Sequence, residues 1–167
     1  FGCKTKHIST LRLWQSEAIN EFDFALFNQQ KYTEASLEKN SAEDISRVLY
    51  PNDDTREGKK LRLKQQYFFC SASLQDITKK HLERFGTLEN IADSITIQLN
   101  DTHPVISIPE FIRIMMNNGM NFEKAFSIAV KVFNYTNHTV MPEALEKWDC
   151  GLVEELLPEV YAIILQI

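Results

Sequence analysis

Residues 95–104 read Ile95-Thr96-Ile97-Gln98-Leu99-Asn100-Asp101-Thr102-His103-Pro104, an alternating run that ends in polar residues. Apolar side chains occupy every second position at first, which is the period of a β-strand. The following Ser107-Ile108-Pro109-Glu110 has the form of a helix capping box, so a helix is predicted to begin there. Because ligands of α/β proteins bind beyond the carboxyl ends of the strands, we expect Asp101 and His103 to line such a crevice.

A second segment repeats this order about 35 residues later. It reads Asn134-Tyr135-Thr136-Asn137-His138-Thr139-Val140-Met141-Pro142-Glu143, a β-prone start followed by a polar cluster. A short helix is predicted over residues 143–148. The spacing fits a βαβ repeat with parallel strands, whose polar turns emerge at the same edge of the sheet. Asp101, His103, His138 and Glu143 are therefore expected to converge.

The rest of the chain predicts a helix-rich α/β fold. Residues 59–84 contain neither Pro nor Gly and predict one long helix that ends at Gly86. Residues 50–58 concentrate Pro, Asn, Asp and Gly, which predicts a loop. Further expectations are a strand over residues 8–14, a helix capped by Ser41 and one apolar helix from residue 152 to residue 167.

Bulk composition narrows the class of protein. The 167 residues are 44% hydrophobic, which is ordinary for a globular protein with a core. The net charge of −5 argues against nucleic acid as a partner, and no apolar run approaches the ~18 residues of a membrane span. Three widely spaced cysteines indicate a reducing compartment, so a cytoplasmic location is expected. The chain opens on Phe1 rather than Met, and we expect it to be a piece of a longer protein.

The predicted polar cluster is compatible with three kinds of chemistry. Asp101, His103 and His138 carry side chains that can ligate a metal ion. Dense Asn, Asp, His and Glu groups also suit sugar hydroxyls, and the same residue types often satisfy backbone groups in tight turns. Dinucleotide-binding, P-loop and nucleophile-elbow motifs are absent from the sequence.

Several blocks of the sequence, in this order, resemble the glycogen, starch and maltodextrin phosphorylases over nearly the whole chain. The blocks are Ser9-Thr10-Leu11-Arg12-Leu13-Trp14, Ile45-Ser46-Arg47-Val48-Leu49-Tyr50-Pro51-Asn52-Asp53, Leu61-Arg62-Leu63-Lys64-Gln65-Gln66-Tyr67-Phe68-Phe69, Gln98-Leu99-Asn100-Asp101-Thr102-His103-Pro104 and Tyr135-Thr136-Asn137-His138-Thr139-Val140-Met141-Pro142-Glu143-Ala144-Leu145-Glu146. An ordered set of this kind is more specific than any single short motif.

The resemblance implies a fold and a reaction. The family has a two-domain glycosyltransferase (GT-B type) fold, and residues 1–167 resemble a single partial domain, the helix-rich C-terminal part of the N-terminal Rossmann-like domain with its parallel strands. The family cleaves terminal α-1,4-glucosidic bonds of glucans with inorganic phosphate to give α-glucose 1-phosphate. It uses pyridoxal phosphate, whose lysine lies in family segments beyond Ile167, and its members are commonly homodimers. The isolated chain is expected to be inactive, and the alternative is a non-catalytic glucan-binding or structural module.

The resemblance also implies roles for individual residues. The loop Asn52-Asp53-Asp54 resembles the family's mobile gate over the catalytic site, although relatives often carry Asn or Ser where Asp54 stands. The remaining implied positions face the sugar or surround its pocket: Asp101, His103 and His138 face the sugar, and Arg62, Glu143 and Glu146 form the pocket network. On this resemblance the metal alternative loses weight, and no catalytic residue, cofactor ligand or metal ligand is assigned within the chain.

Overall fold

The computed structural model describes residues 2–138, 141 and 145–167. Contacts divide the chain into two compact units, Phe1–Tyr50 and Pro51–Ile167, and each is described by itself. None of the helices among the described residues is both long enough and apolar enough to cross a membrane. That the whole chain forms one partial domain stays a prediction.

The first unit consists of an irregular segment followed by three helices. The helices are α1 (Phe24–Asn28), α2 (Tyr32–Ala35) and α3 (Leu37–Arg47). The predicted cap at Ser41 is wrong, because Ser41 lies in the middle of α3.

The strand predicted over residues 8–14 is also wrong, since these residues form no regular structure. A strand needs a second strand to pair its backbone groups, and the first unit has none among its described residues. The irregular segment is instead tied to α3 through Ser16. Its backbone N–H donates to Ser46 Oγ at 2.9 Å, and its hydroxyl donates to the carbonyl of Ala42 at 2.6 Å.

The second unit is built around one long helix and a small sheet. Its elements are α4 (Arg56–Phe85), a 3₁₀ turn (Ile91–Asp93), β1 (Ile97–Asn100), α5 (Ser107–Asn117), α6 (Phe122–Val132), β2 (Phe133–Thr136), α7 (Cys150–Leu156) and α8 (Pro158–Ile164). The long helix is confirmed, but it begins at Arg56, so the last three residues of the loop predicted over residues 50–58 are helical. The Thr55 side chain caps its start by accepting from the Gly58 N–H, and Gly86, at φ 72°, ends it in the left-handed conformation.

The two strands pair in parallel, as the sequence predicted. The register runs from Ile97 opposite Phe133 to Asn100 opposite Thr136. α5 and α6 lie between the strands in sequence and supply most of the buried core. In that core, Phe111 is completely buried and packs edge-on against Phe133, with ring centroids 5.4 Å apart. The helix-rich α/β class is therefore confirmed, and the carboxyl ends of both strands lie at one edge of the sheet.

Three local predictions in this unit need correction. The capping box is wrong: Ser107 already belongs to α5, its N-cap is Ile106 without a side-chain cap, and Glu110 is buried in the interior. The helix predicted over residues 143–148 is not formed at residues 145–148, and residues 143 and 144 lie outside the described residues. The single final helix is two helices, since Pro158 has no backbone N–H to continue α7.

Candidate functional site

The turn after β1 begins with a residue in an uncommon backbone conformation. Asp101 has φ 68°, in the left-handed region that Asp tolerates better than most residues. Its backbone N–H donates to the carbonyl of Thr136 at 2.8 Å, which continues the sheet hydrogen bonding by one residue. Its buried Oδ1 accepts no hydrogen bond from the described residues. The chain thus turns sharply here and carries Thr102 and His103 back toward the start of α4.

Glu146 is the centre of the polar cluster. Its Oε1 accepts from Arg62 Nη2 at 2.9 Å, from Arg62 Nε at 3.2 Å and from Gln66 Nε2 at 2.8 Å. His103 Nδ1 lies 3.3 Å from the same oxygen, and Thr102 Oγ1 donates to Oε2 at 3.3 Å. The structure therefore joins three of the predicted site residues, Arg62, His103 and Glu146, in one network.

This network keeps Glu146 ionised. Its side chain is only 14% exposed, and burial alone would raise the pKa of its carboxyl group. The hydrogen bond from Gln66, the charge and hydrogen bond of His103 and the hydrogen bond from Arg62 outweigh that effect and lower the pKa below its ordinary value. A carboxylate with so many donors is held in one orientation.

The acidic loop, defined as residues Asn52-Asp53-Asp54, lies against the first turns of α4. Asp53 Oδ2 is 3.4 Å from Arg62 Nη1, so Arg62 pairs with the loop as well as with Glu146. Within the loop, Asn52 Oδ1 accepts from the Asp54 backbone N–H at 3.1 Å and Asn52 Nδ2 donates to Asp54 Oδ2 at 2.9 Å. The loop thus has a defined internal geometry, and the ion pair between Asp53 and Arg62 connects it to the polar cluster.

The other predicted site residues are placed differently. His138 follows β2, and its Nε2 is hydrogen-bonded to the side chain of Asn100 at the end of β1. Glu143 lies outside the described residues, so its place in the predicted convergence stays a prediction. Among residues 2–138, 141 and 145–167, no group of three His, Cys, Asp or Glu side chains could hold a metal ion.

Sequence reasoning missed two members of the cluster, Gln66 and Thr102. Gln66 lies one helical turn after Arg62, and residues four apart share a helix face. That spacing is the signal that could have found it. Thr102 lies between two predicted site residues, but its contact with Glu146 depends on the turn at Asp101, which the sequence pattern does not specify.

The described lysines do not suit a cofactor that forms a Schiff base. Such a lysine must lose its proton, which burial or a neighbouring cation favours. None of the lysines in the described part of the chain is buried. Lys60 is the nearest to burial at the start of α4, and its hydrogen bond to Glu155 raises its pKa.

An apolar cavity of about 410 Å³ adjoins the polar cluster through Gln66 and Thr102. Its remaining lining is almost entirely apolar: Leu63, Val105, Ile106, Ile108, Pro109, Trp148, Cys150, Val153, Tyr161, Ile164 and Ile167. Sugars carry hydroxyl groups that need polar partners when they leave water. The polar cluster, and not this cavity, therefore has the chemistry for a carbohydrate.

Comparison with known proteins agrees with the resemblance drawn from the sequence. The family model described as carbohydrate phosphorylase matches residues 1–167. The muscle form of glycogen phosphorylase from Ovis aries is 47% identical over 175 residues, covering 99% of this chain and 21% of that protein. The brain form from Mus musculus is 48% identical, with 97% and 21% covered. Glycogen phosphorylase from Saccharomyces cerevisiae is 47% identical, with 99% and 18% covered. The chain spans about a fifth of the length of these relatives, and it belongs to the carbohydrate phosphorylase family.

Proposed function

We propose that this chain is part of an α-glucan phosphorylase. The full-length protein would cleave the terminal α-1,4-glucosidic bond of a glucan with inorganic phosphate and release α-glucose 1-phosphate. The observation that carries the proposal is the ordered cluster of Arg62, His103 and Glu146 beside the acidic loop, in a chain whose relatives are glycogen phosphorylases throughout its length.

In this proposal the cluster forms the sugar-facing side of the catalytic cleft. Glu146 and Arg62 hold each other in place, with His103 against Glu146 and Asp53 against Arg62, so the polar groups of the cluster are positioned for sugar hydroxyl groups or ordered water. Asp53 is 42% exposed and lies in a loop, so it is the member that can move. A carboxylate that swings toward the phosphate position repels the anion, and one that swings away admits it. Residues 52–54 are thereby the proposed gate.

The proposed enzyme uses pyridoxal phosphate, bound by residues outside this chain. When bound, the cofactor supplies a phosphate group for proton transfer. A two-domain glycosyltransferase fold, a homodimeric assembly and a cytoplasmic location complete the proposal. Residues 1–167 alone are expected to lack phosphorolysis, because they contain only one side of the cleft.

The test compares the full-length protein with the isolated chain. Each is incubated with maltoheptaose, inorganic phosphate and pyridoxal phosphate, and glucose 1-phosphate is measured with a coupled assay. Product from the full-length protein alone is the expected result. Glucan binding by the full-length protein, seen in ligand-observed NMR without any product, would favour the alternative of a non-catalytic glucan-binding or structural module.

Variants on one helix test the cluster itself. Arg62→Met removes the cation that pairs with Glu146 and Asp53, and hydrogen bonds to charged groups are worth about 1.5–3 kcal/mol each. We therefore expect kcat/KM to fall by about tenfold or more. Lys64→Met is the matched control, because Lys64 lies on the same helix and is exposed. Equal activity of the two variants would remove the cluster from the proposed site.

A further inference from the structure

Gly58 occupies the third position of α4, directly beneath the acidic loop. A Cβ atom built on this residue would lie 2.3 Å from the carbonyl oxygen of Asn52, 3.1 Å from Asp53 Cα and 3.2 Å from the carbonyl carbon of Asn52. All three are backbone atoms, so no side-chain rotation relieves the clash. The loop can lie where it does only because residue 58 has no side chain.

Conformational freedom does not explain this glycine. Gly58 lies within a helix, and its φ is not in the left-handed region. A glycine in a helix lowers helix stability relative to alanine. Its presence at this position therefore needs another reason, and the close approach of the loop backbone supplies one.

The contacts around Gly58 connect the loop to the charged cluster. Its backbone N–H donates to Thr55 Oγ1 at 3.1 Å, which fixes the end of the loop on the helix. Arg62 lies four residues further along α4, on the same helix face, and holds Asp53 at 3.4 Å. Gly58, which contacts the backbone of the loop, and Arg62, which pairs with Asp53, thus lie on one face of α4.

We propose that Gly58 is a positioning residue for the acidic loop: its missing side chain sets the distance from Asn52-Asp53-Asp54 to α4 and so places the Asp53 carboxylate against Arg62. An alanine methyl would have to stand at ordinary contact distance from Asn52, which moves the loop outward by about 1 Å. A displacement of about 1 Å is enough to lower the rate of an enzyme by up to 100-fold when it misplaces a group at the site. The kinetic part of this inference rests on the proposed function, whereas the structural part does not.

The experiment uses the full-length protein with Gly58→Ala and, as a matched control, Gly151→Ala. Gly151 also lies in the first turn of a helix, α7, but a Cβ there would meet only the side-chain Oδ1 of Asp149, at 3.2 Å. Two quantities are measured: hydrogen exchange of the backbone amides of residues 52–58, and kcat and KM for inorganic phosphate with maltoheptaose in excess.

We expect Gly58→Ala to speed exchange in residues 52–58 by about tenfold or more, while Gly151→Ala leaves that segment unchanged. The same variant should raise KM for phosphate, or lower kcat/KM, by about tenfold and should keep a cooperative thermal transition. Unchanged exchange in residues 52–58 would overturn the inference, because the loop would then tolerate the methyl group. If Gly58→Ala loses cooperative melting while Gly151→Ala keeps it, the inference is also overturned, since a positioning role predicts a local change only.

The two measurements separate this inference from the proposed function. If the wild-type protein forms no glucose 1-phosphate, the proposed function fails and hydrogen exchange still decides whether Gly58 seats the loop. If Gly58→Ala speeds hydrogen exchange in residues 52–58 but leaves kcat and KM for phosphate at the wild-type values, Gly58 positions the loop and the gate role of the loop is refuted.

Discussion

Replacing Glu110 with glutamine should destabilise the protein, because it removes the charge of a buried ion pair. The side chain of Glu110 is 0% exposed. Its Oε1 accepts from Ser71 Oγ at 2.6 Å and from Arg113 Nη2 at 2.9 Å, and its Oε2 accepts from Arg113 Nε at 2.7 Å and from Tyr67 at 3.1 Å. The carboxylate thereby connects α4 to α5, and Glu110→Gln removes its charge at nearly constant volume.

The magnitude follows from what is left behind. Breaking a buried ion pair by removing one partner costs about 3–5 kcal/mol, because the other charge stays buried. Arg113 is 20% exposed and also reaches Glu159 at 3.2 Å, so it keeps solvent and one partner. The lower end of that range, about 3 kcal/mol, is therefore expected. The hydrogen bond to Glu110 raises the pKa of Arg113 above its ordinary value. Burial, together with the charge of Glu110, raises the pKa of Tyr67, so both neighbours interact strongly with this carboxylate.

The assay is urea denaturation, with the free energy of unfolding taken from the midpoint at constant slope. Glu159→Gln is the matched control, since Glu159 meets the same guanidinium but is 76% exposed, and its loss should cost under about 1 kcal/mol. A double-mutant cycle with Arg113→Met isolates the pair itself. If Glu110→Gln costs no more than the control, the buried network does not stabilise the fold and the reasoning is refuted.

Three further changes test other parts of the structure. Phe111→Ala should cost about 3–5 kcal/mol in the same urea assay, because it opens a cavity in a fully buried position beside Phe133; a loss under about 1 kcal/mol would contradict that packing. Asn121→Ala should cost about 1 kcal/mol, since the side chain of Asn121 caps α6, and an unchanged melting temperature would speak against the cap. The pKa of Glu146 is lower in the folded state than its ordinary value of 4.5. Ionisation of Glu146 therefore stabilises the folded protein at pH values above 4.5, and this stabilisation is lost as the pH falls through the pKa of the folded state. Glu146→Gln should therefore flatten the fall in stability below about pH 5, and parallel pH profiles of the two proteins would show that the pairing contributes nothing.

Only some of the predictions that depended on local sequence were confirmed. The long helix needs only an unbroken run of helix-forming residues, and Gly86 ends it through its own left-handed conformation, without help from distant residues. The parallel strands were predictable because their spacing left room for a crossover that must bring them side by side.

Predictions failed where distant residues compete for a local motif. Glu110 has the spacing of a capping-box acid, but Tyr67, Ser71 and Arg113 draw it into the interior instead. The strand over residues 8–14 had a suitable composition and no partner strand among the described residues of its unit. In both cases the deciding interaction lies outside the segment that carries the pattern.

The candidate site shows the same division. The resemblance located Arg62 and Glu146, whereas Gln66 enters the cluster only through the geometry of α4. The role of Gly58 could not be found from sequence, because it is visible only as the short distance from an absent Cβ to a carbonyl oxygen. A glycine in a loop-like segment predicts a turn, and here it permits a close contact instead.

The two carboxylates on Arg62 differ in a way that bears on which side of the site can move. Glu146 is 14% exposed and bonds to two guanidinium nitrogens, so separating it would leave charge in a poorly solvated place. Asp53 is three times as exposed as Glu146 and makes one longer contact with Arg62, so its pair with Arg62 is the weaker of the two. Movement of the acidic loop therefore leaves Arg62 anchored by Glu146, with its charge still paired. The ion pair of Asp53 therefore opposes movement of residues 52–54 less than the pair of Glu146 would, which agrees with the gate proposed for this loop.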